Sequence, residues 1–140
     1  MAKKRKTFQI KTLTKSKARE ISTAKEEGYP KFCFRYLSDK SLKKCKDADF
    51  LRNFILRLQK LSASGWEAIG HSPRHSFGME KIPRSEIIPQ LPSWITHEVS
   101  HLHVFRAVGD NRPFVGLRIG SYFRILFIET KFGEIYDHKT

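Results

Sequence analysis

Residues 101 to 128 constrain this chain most. "HLHVFRAV", "FVGLRI" and "YFRILFI" are three short apolar stretches separated by "GDNRP" and "GS". Runs this short, rich in β-branched and aromatic residues and bounded by turn residues, read as strands. "GDNRP" is a turn, and Gly120-Ser121 is the two-residue signal of a hairpin. In the first run Leu102, Val104 and Val108 alternate with His101, His103 and Phe105, as on a half-buried strand. "KFGEIYDH" carries the strand-like character to the end. Three or four consecutive antiparallel strands follow from this pattern.

Upstream, the period changes. Phe32, Phe34 and Tyr36 in "KFCFRYL" alternate with Lys31, Cys33 and Arg35, which predicts another strand. Then Phe50, Leu51, Phe54, Ile55, Leu58 and Leu61 recur at helical spacing, with Asp47 placed to cap the start and Gly65 to end it. "GWEAIGHSPRHSFG" reads as a short helical turn and a loop, and "FGMEKIP" as a short strand. Pro89 and Pro92 make "RSEIIPQLPSWIT" an irregular connection. The expected class is α+β, a small twisted antiparallel sheet packed against a long amphipathic helix. Residues 1–29 are read as a basic, flexible or partly helical tail, and 30–140 as a single domain.

Charge speaks about partners. The chain has 27 Lys and Arg against 14 Asp and Glu, a formal +13, which favours nucleic acid or an acidic protein as partner. Within residues 1–29, nine positive and three negative side chains give +6, with few apolar residues to offset the entropy of ordering. A solvated arm and a nucleic-acid or partner-binding arm both fit. No apolar stretch spans a bilayer or forms a signal peptide, and Cys33 and Cys45 make no disulfide or metal pattern. A reducing, cytoplasmic setting is the simplest expectation, without membrane association.

The helix "FLRNFILRLQKL", the strand "GMEKI", the pair "LHVFRAV…GLRIGSYFRILFIE" and the polar end "IYDH" together resemble the RelE/ParE superfamily, the toxins of bacterial type II toxin–antitoxin systems. "GLRIGSYFRILF", with Arg118 and Arg124, matches the superfamily's typical basic hairpin. The likeness covers roughly residues 30 to 138. The chain is longer than such toxins, mainly through its tail and Pro-rich connection, and its C-terminal segment is shorter. The resemblance implies a toxin that cleaves mRNA on the ribosome, using scattered Lys, Arg, His, Glu and Tyr residues, and a cognate antitoxin as partner. Two alternatives stay open: a ParE-type gyrase inhibitor without nuclease activity, and a basic nucleic-acid-binding module without catalysis.

RNA cleavage by the 2′-hydroxyl needs a base, cationic stabilisation of the phosphate and an acid for the leaving 5′-oxygen, but no metal or cofactor. His suits the proton transfers and Arg the phosphate. The chemistry and the resemblance together nominate His75, His138, Glu80 and Tyr136 for catalysis. They nominate Arg74, His71, Arg118, Arg124 and Lys81 for RNA phosphate. If "GMEKI" joins the sheet of the terminal strands, the two sets can converge at one end. Plainer readings stand beside these. His71 and His75 suit a solvated loop, Glu80 suits pairing with a lysine on the next strand, and Arg118 and Arg124 suit an exposed surface. Tyr136 suits packing, and His138 is put in the site by the resemblance. In "HEVSHLH", His101 and His103 share a strand face and could reach one metal, with no third ligand forced. Trp94 and Phe105 are placed to stack on bases or on a partner.

Overall fold

A computed structural model describes residues 24–72, 78–106 and 112–138. Five strands form one mixed sheet in the order β1-β5-β4-β3-β2. They are β1 (Lys31–Cys33), β2 (Glu80–Pro83), β3 (His101–Arg106), β4 (Pro113–Ile119) and β5 (Tyr122–Ile128). β2 pairs with β3, β3 with β4 and β4 with β5, each antiparallel; a two-residue turn at Gly120-Ser121 joins β4 to β5, and the Pro-rich connection joins β2 to β3. β1 pairs parallel to β5, so the sheet is not purely antiparallel. A parallel neighbour needs a long crossover, and everything between Phe34 and Ser121 supplies it.

β1 is also shorter than its alternation predicts. The chain turns after Cys33, where the Leu37 N–H donates to Phe34 O at 3.1 Å. Phe32 stays on the helix-facing side of the sheet, while Tyr36 crosses to the other side against Trp94. Beyond the turn, the edge of β5 still needs partners. Ser38 donates its N–H to Leu126 O at 2.8 Å, and the buried Ser41 hydroxyl accepts from Ile128 N–H at 3.3 Å. Both serines belong to the start of a short helix, α2 (Asp39–Lys44), which follows α1 (Ala24–Glu27) in the chain.

α3 (Ala48–Ser64) begins as expected: the Asp47 carboxylate accepts from the N–H groups of Asp49 and Phe50 at 2.9 and 3.3 Å. Its buried stripe is Phe50, Phe54, Leu58 and Leu61, narrower than the spacing predicts, with Ile55 63% exposed. Those four sit at i, i+4, i+8 and i+11, and Ile55 lies a further 100° or so around the helix. The stripe packs onto an aromatic cluster on the sheet, in which the Phe105, Phe114 and Phe123 rings lie 5.0 to 5.7 Å apart. Phe54 meets Phe114 edge-on at 5.2 Å. Gly65, with φ at 80°, ends α3 and starts α4 (Trp66–Gly70). The Trp66 N–H then donates to Gly28 O at 2.8 Å, which ties the segment before β1 to the helical layer.

The opposite face of the sheet carries a second core of Ile82, Leu102, Val104, Val115, Leu117, Leu126 and Phe127. Its cover is the Pro-rich connection, through Ile87, Leu91, Trp94, Ile95 and Val99, together with Ile135 and Tyr136. One side chain holds the connection in shape: the Arg84 guanidinium donates to Thr96 O, to Ile95 O at 3.0 Å and to Val99 O at 3.5 Å. "KFGEIYDH" is a turn and not a strand, joined to the connection by one bridge between Ile87 and Tyr136.

At the centre of the sheet the β4–β5 ladder shifts register between Val115 and Gly116. A Cβ on Gly116 would stand 2.1 Å from Arg124 O and 2.7 Å from the Phe123 ring. Gly116→Ala should therefore destabilise the fold by about 3 kcal/mol, lowering the unfolding midpoint by roughly 10 °C. Gly70→Ala, where a Cβ meets nothing within 4 Å, is the matched control and should leave the midpoint nearly unchanged. Calorimetry on the two variants makes the comparison.

Candidate functional site

The expected convergence does not form. Arg118 pairs with Phe123, and Leu117 with Arg124. Neighbours along a strand point to opposite faces. Arg118 therefore lies on the helix-facing side, with its guanidinium 4.0 Å from the Trp66 ring centroid. Arg124 lies on the other side, 5.1 and 5.6 Å from the rings of Tyr36 and Trp94. One phosphate cannot sit between them. Arg74 and His75 fall at 73–77, outside the described residues. His71 is exposed at the C-terminal end of α4, its N–H donating to Ala68 O at 3.3 Å. Glu80 opens β2 and faces Arg106 on the neighbouring strand at 3.8 Å.

His138 and Tyr136 sit at the end of β5 remote from the hairpin, and both are inside the fold. The His138 side chain is 9% exposed and its Nε2 lies 2.6 Å from the carboxylate of Glu129, which is fully buried. The ring is sandwiched between Phe132 at 4.0 Å and Tyr136 at 4.1 Å. The same carboxylate accepts from Gly133 N–H at 3.1 Å and Ile135 N–H at 2.9 Å. This is a structural tie: a buried carboxyl group that organises the C-terminal turn around itself. His138, put in the site by the resemblance, is therefore inside the fold and away from the hairpin arginines, and Tyr136 is a buried packing residue.

The groups that do gather lie at the hairpin end, on the helix-facing side. His101, His103 and Phe105 share that face of β3, and Lys81 stands opposite His103 on β2. His103 also lies opposite Gly116 on β4. Its Nδ1 accepts from the Arg118 backbone N–H at 3.1 Å. With Nδ1 accepting, the neutral ring carries its proton on Nε2. Burial lowers the His103 pKa, and the charges of Lys81, Arg118 and His101 lower it further. His101 is exposed, about 7 Å along the strand, with Nδ1 2.9 Å from Ser100 Oγ. Arg118 Nε donates to Gly120 O at 3.0 Å, and Trp66 Nε1 to Ser121 O at 3.2 Å, so the indole props both the arginine and the hairpin. Two cations, Lys81 and Arg118, thus share this face of the sheet with the two imidazoles, a set whose chemistry suits an anion and a proton transfer.

Residues 97–101 also spell H-E-x-x-H, a zinc-protease pattern when it lies on a helix. Here residues 97 and 98 are in a turn and His101 opens β3, so the spacing does not stack the two imidazoles. Among the described residues no three His, Cys, Asp or Glu side chains gather as a metal-ligand set. No described helix is long and apolar enough to cross a membrane. Comparison with family models, curated proteins and solved structures finds no match to the chain.

Two measurements test these assignments. His138→Ala strips the buried Glu129 of its side-chain donor and should destabilise the protein by about 3 kcal/mol. Faster hydrogen exchange at the Gly133 and Ile135 amides should accompany the loss; unchanged exchange would contradict the tie. His103 favours its neutral form in the fold, so its contribution is complete above the unfolded pKa of about 6.5 and is lost as pH falls below it. His103→Asn, whose amide oxygen can accept from Arg118 N–H, should flatten the stability–pH curve on the acid side of neutrality. Denaturant titrations at a series of pH values report this directly.

Proposed function

We infer that the protein is an RNA-cleaving toxin of the kind the RelE/ParE resemblance implies, acting on mRNA at the ribosome in the cytoplasm. The observation that carries this reading is the cluster of His101, His103, Lys81 and Arg118 at the hairpin end. Lys81 and Arg118 neutralise a phosphate, and His103 Nε2–H donates to one of its oxygens. His101 Nδ1 lies 2.9 Å from Ser100 Oγ; in the tautomer whose Nδ1–H donates to that hydroxyl, Nε2 has a free lone pair to take the 2′-hydroxyl proton. The 2′-oxygen then bonds to phosphorus as the P–O5′ bond breaks. The products are a 2′,3′-cyclic phosphate and a 5′-hydroxyl, whose proton comes from the Lys81 ammonium. The α+β architecture and the formal +13 support the same reading. A cognate antitoxin would neutralise the protein by covering this cluster.

Purified protein incubated with ribosomes and mRNA, followed by mapping of the new 5′ ends, is the test. His101→Ala should slow cutting by about 10²–10⁴ and leave RNA affinity nearly intact. Arg118→Ala should weaken binding as well, since a phosphate ligand serves both the ground state and the transition state. Wild-type protein that arrests growth but cuts no RNA would replace this reading with gyrase inhibition or binding without catalysis.

A further inference from the structure

A depression of about 590 Å³ lies at the other end of the sheet, lined by Lys40, Lys43, Lys44, Lys46, Thr130, Lys131 and Glu134. Five of its seven residues are lysines. Among the described residues only Lys44 is answered, by Glu134 at 2.8 Å. Among the described residues the other four ammonium groups have no carboxylate within 4.0 Å. Lys43 and Lys44 fall in the last turn of α2, where a helix end favours positive charge. That accounts for neither Lys40, one turn earlier, nor Lys46 and Lys131. Lys40, Lys43 and Lys44 share one helix face, at spacings where like charges repel.

The walls of this basin are fixed. α2 is pinned to β5 by the buried Ser41 hydroxyl and by Ser38. The turn that carries Lys131 is folded around Glu129, through Gly133 N–H and Ile135 N–H. The backbone that carries Lys40, Lys43 and Lys131 is therefore fixed around one concavity, where no carboxylate among the described residues answers these cations. Such self-repulsion is relieved by a bound polyanion. The lining has no aromatic or aliphatic anchor for the apolar side chains of a peptide. Lysines act as point charges toward phosphate and read no sequence.

We propose that the lysine basin binds the phosphodiester backbone of an RNA strand, as an anchoring surface separate from the hairpin-end cluster. This deepens the RNA-directed reading above. β5 spans seven residues between the two places, roughly 20 Å, so the basin holds the strand away from the reacting phosphate. It contributes to affinity and not to the chemical step.

The test pairs two charge-matched variants of the full chain. Lys43→Gln with Lys131→Gln removes two basin charges and leaves the Lys44–Glu134 pair in place. Arg52→Gln with Lys60→Gln removes two exposed charges on α3. A labelled single-stranded RNA oligonucleotide is titrated against each across a salt series. The basin variant should lose affinity about tenfold at low salt, with the log–log salt slope shallower by about 1.4, two contacts at about 0.7 each. The α3 variant should change affinity less than twofold, roughly the effect of lost net charge alone. In the cleavage assay the basin variant should raise KM and leave kcat unchanged. Equal losses in the two variants would overturn the proposal. So would wild-type protein that binds polyglutamate and not RNA, which would make an acidic protein the occupant. Basin-dependent RNA binding without any cutting would leave the anchoring surface standing and remove the ribonuclease reading alone.

Discussion

The close approach of β4 and β5 at Gly116 organises the rest of the molecule. With no Cβ there, the Arg124 carbonyl and the Phe123 ring come in close across the ladder. The register shifts at the same place, and from it the faces sort themselves. Phe114 and Phe123 go to the helical layer, and Val115, Leu117 and Phe127 to the second core. His103 lies opposite Gly116 in the ladder, and its ring reaches Arg118 N–H. One glycine thus sets the packing of the central strand pair.

The second core explains why the sheet reads as it does in the sequence. "FVGLRI" and "RILFI" are nearly continuous apolar runs, not clean alternations, because their strands are covered on both sides. The cover is irregular backbone, an expensive choice unless its polar groups are satisfied from elsewhere. Arg84 supplies donors to three carbonyls, and Glu129 supplies acceptors to two amides and an imidazole. Each is a charged side chain used as a local organiser of loop structure.

Local signals in the sequence were readable wherever the physics is local. The Asp47 cap, the Gly65 stop and the Gly120-Ser121 turn depend only on neighbours in the chain, and each sits where its residue type places it. The parallel β1–β5 pair, the covered second face and the fate of Ile55 depend on contacts between distant segments, which periodicity does not report. For the site, hairpin arithmetic already separates Arg118 from Arg124: a turn at 120–121 pairs 118 with 123 and 117 with 124. His101 and His103 were visible as same-face neighbours, but the lysine and arginine that surround them come from two other strands. Trp66 carried no signal, since its role as a prop appears only once α4 docks beneath the hairpin.

The pairing of β1 with β5 has a consequence for how the chain is made. Lys31–Cys33 leave the ribosome early, yet their partners are Tyr122–Arg124, about ninety residues later. Phe32 belongs to the aromatic cluster and lacks its neighbours until β5 emerges. The Pro-rich cover waits longer, for Ile135 and Tyr136. Vectorial synthesis therefore cannot complete either core domain-fashion from the N-terminus. The nascent chain must carry Phe32 without its sheet partners until β5 is made, and a product truncated before β5 lacks the strand that joins β1 to the rest of the sheet.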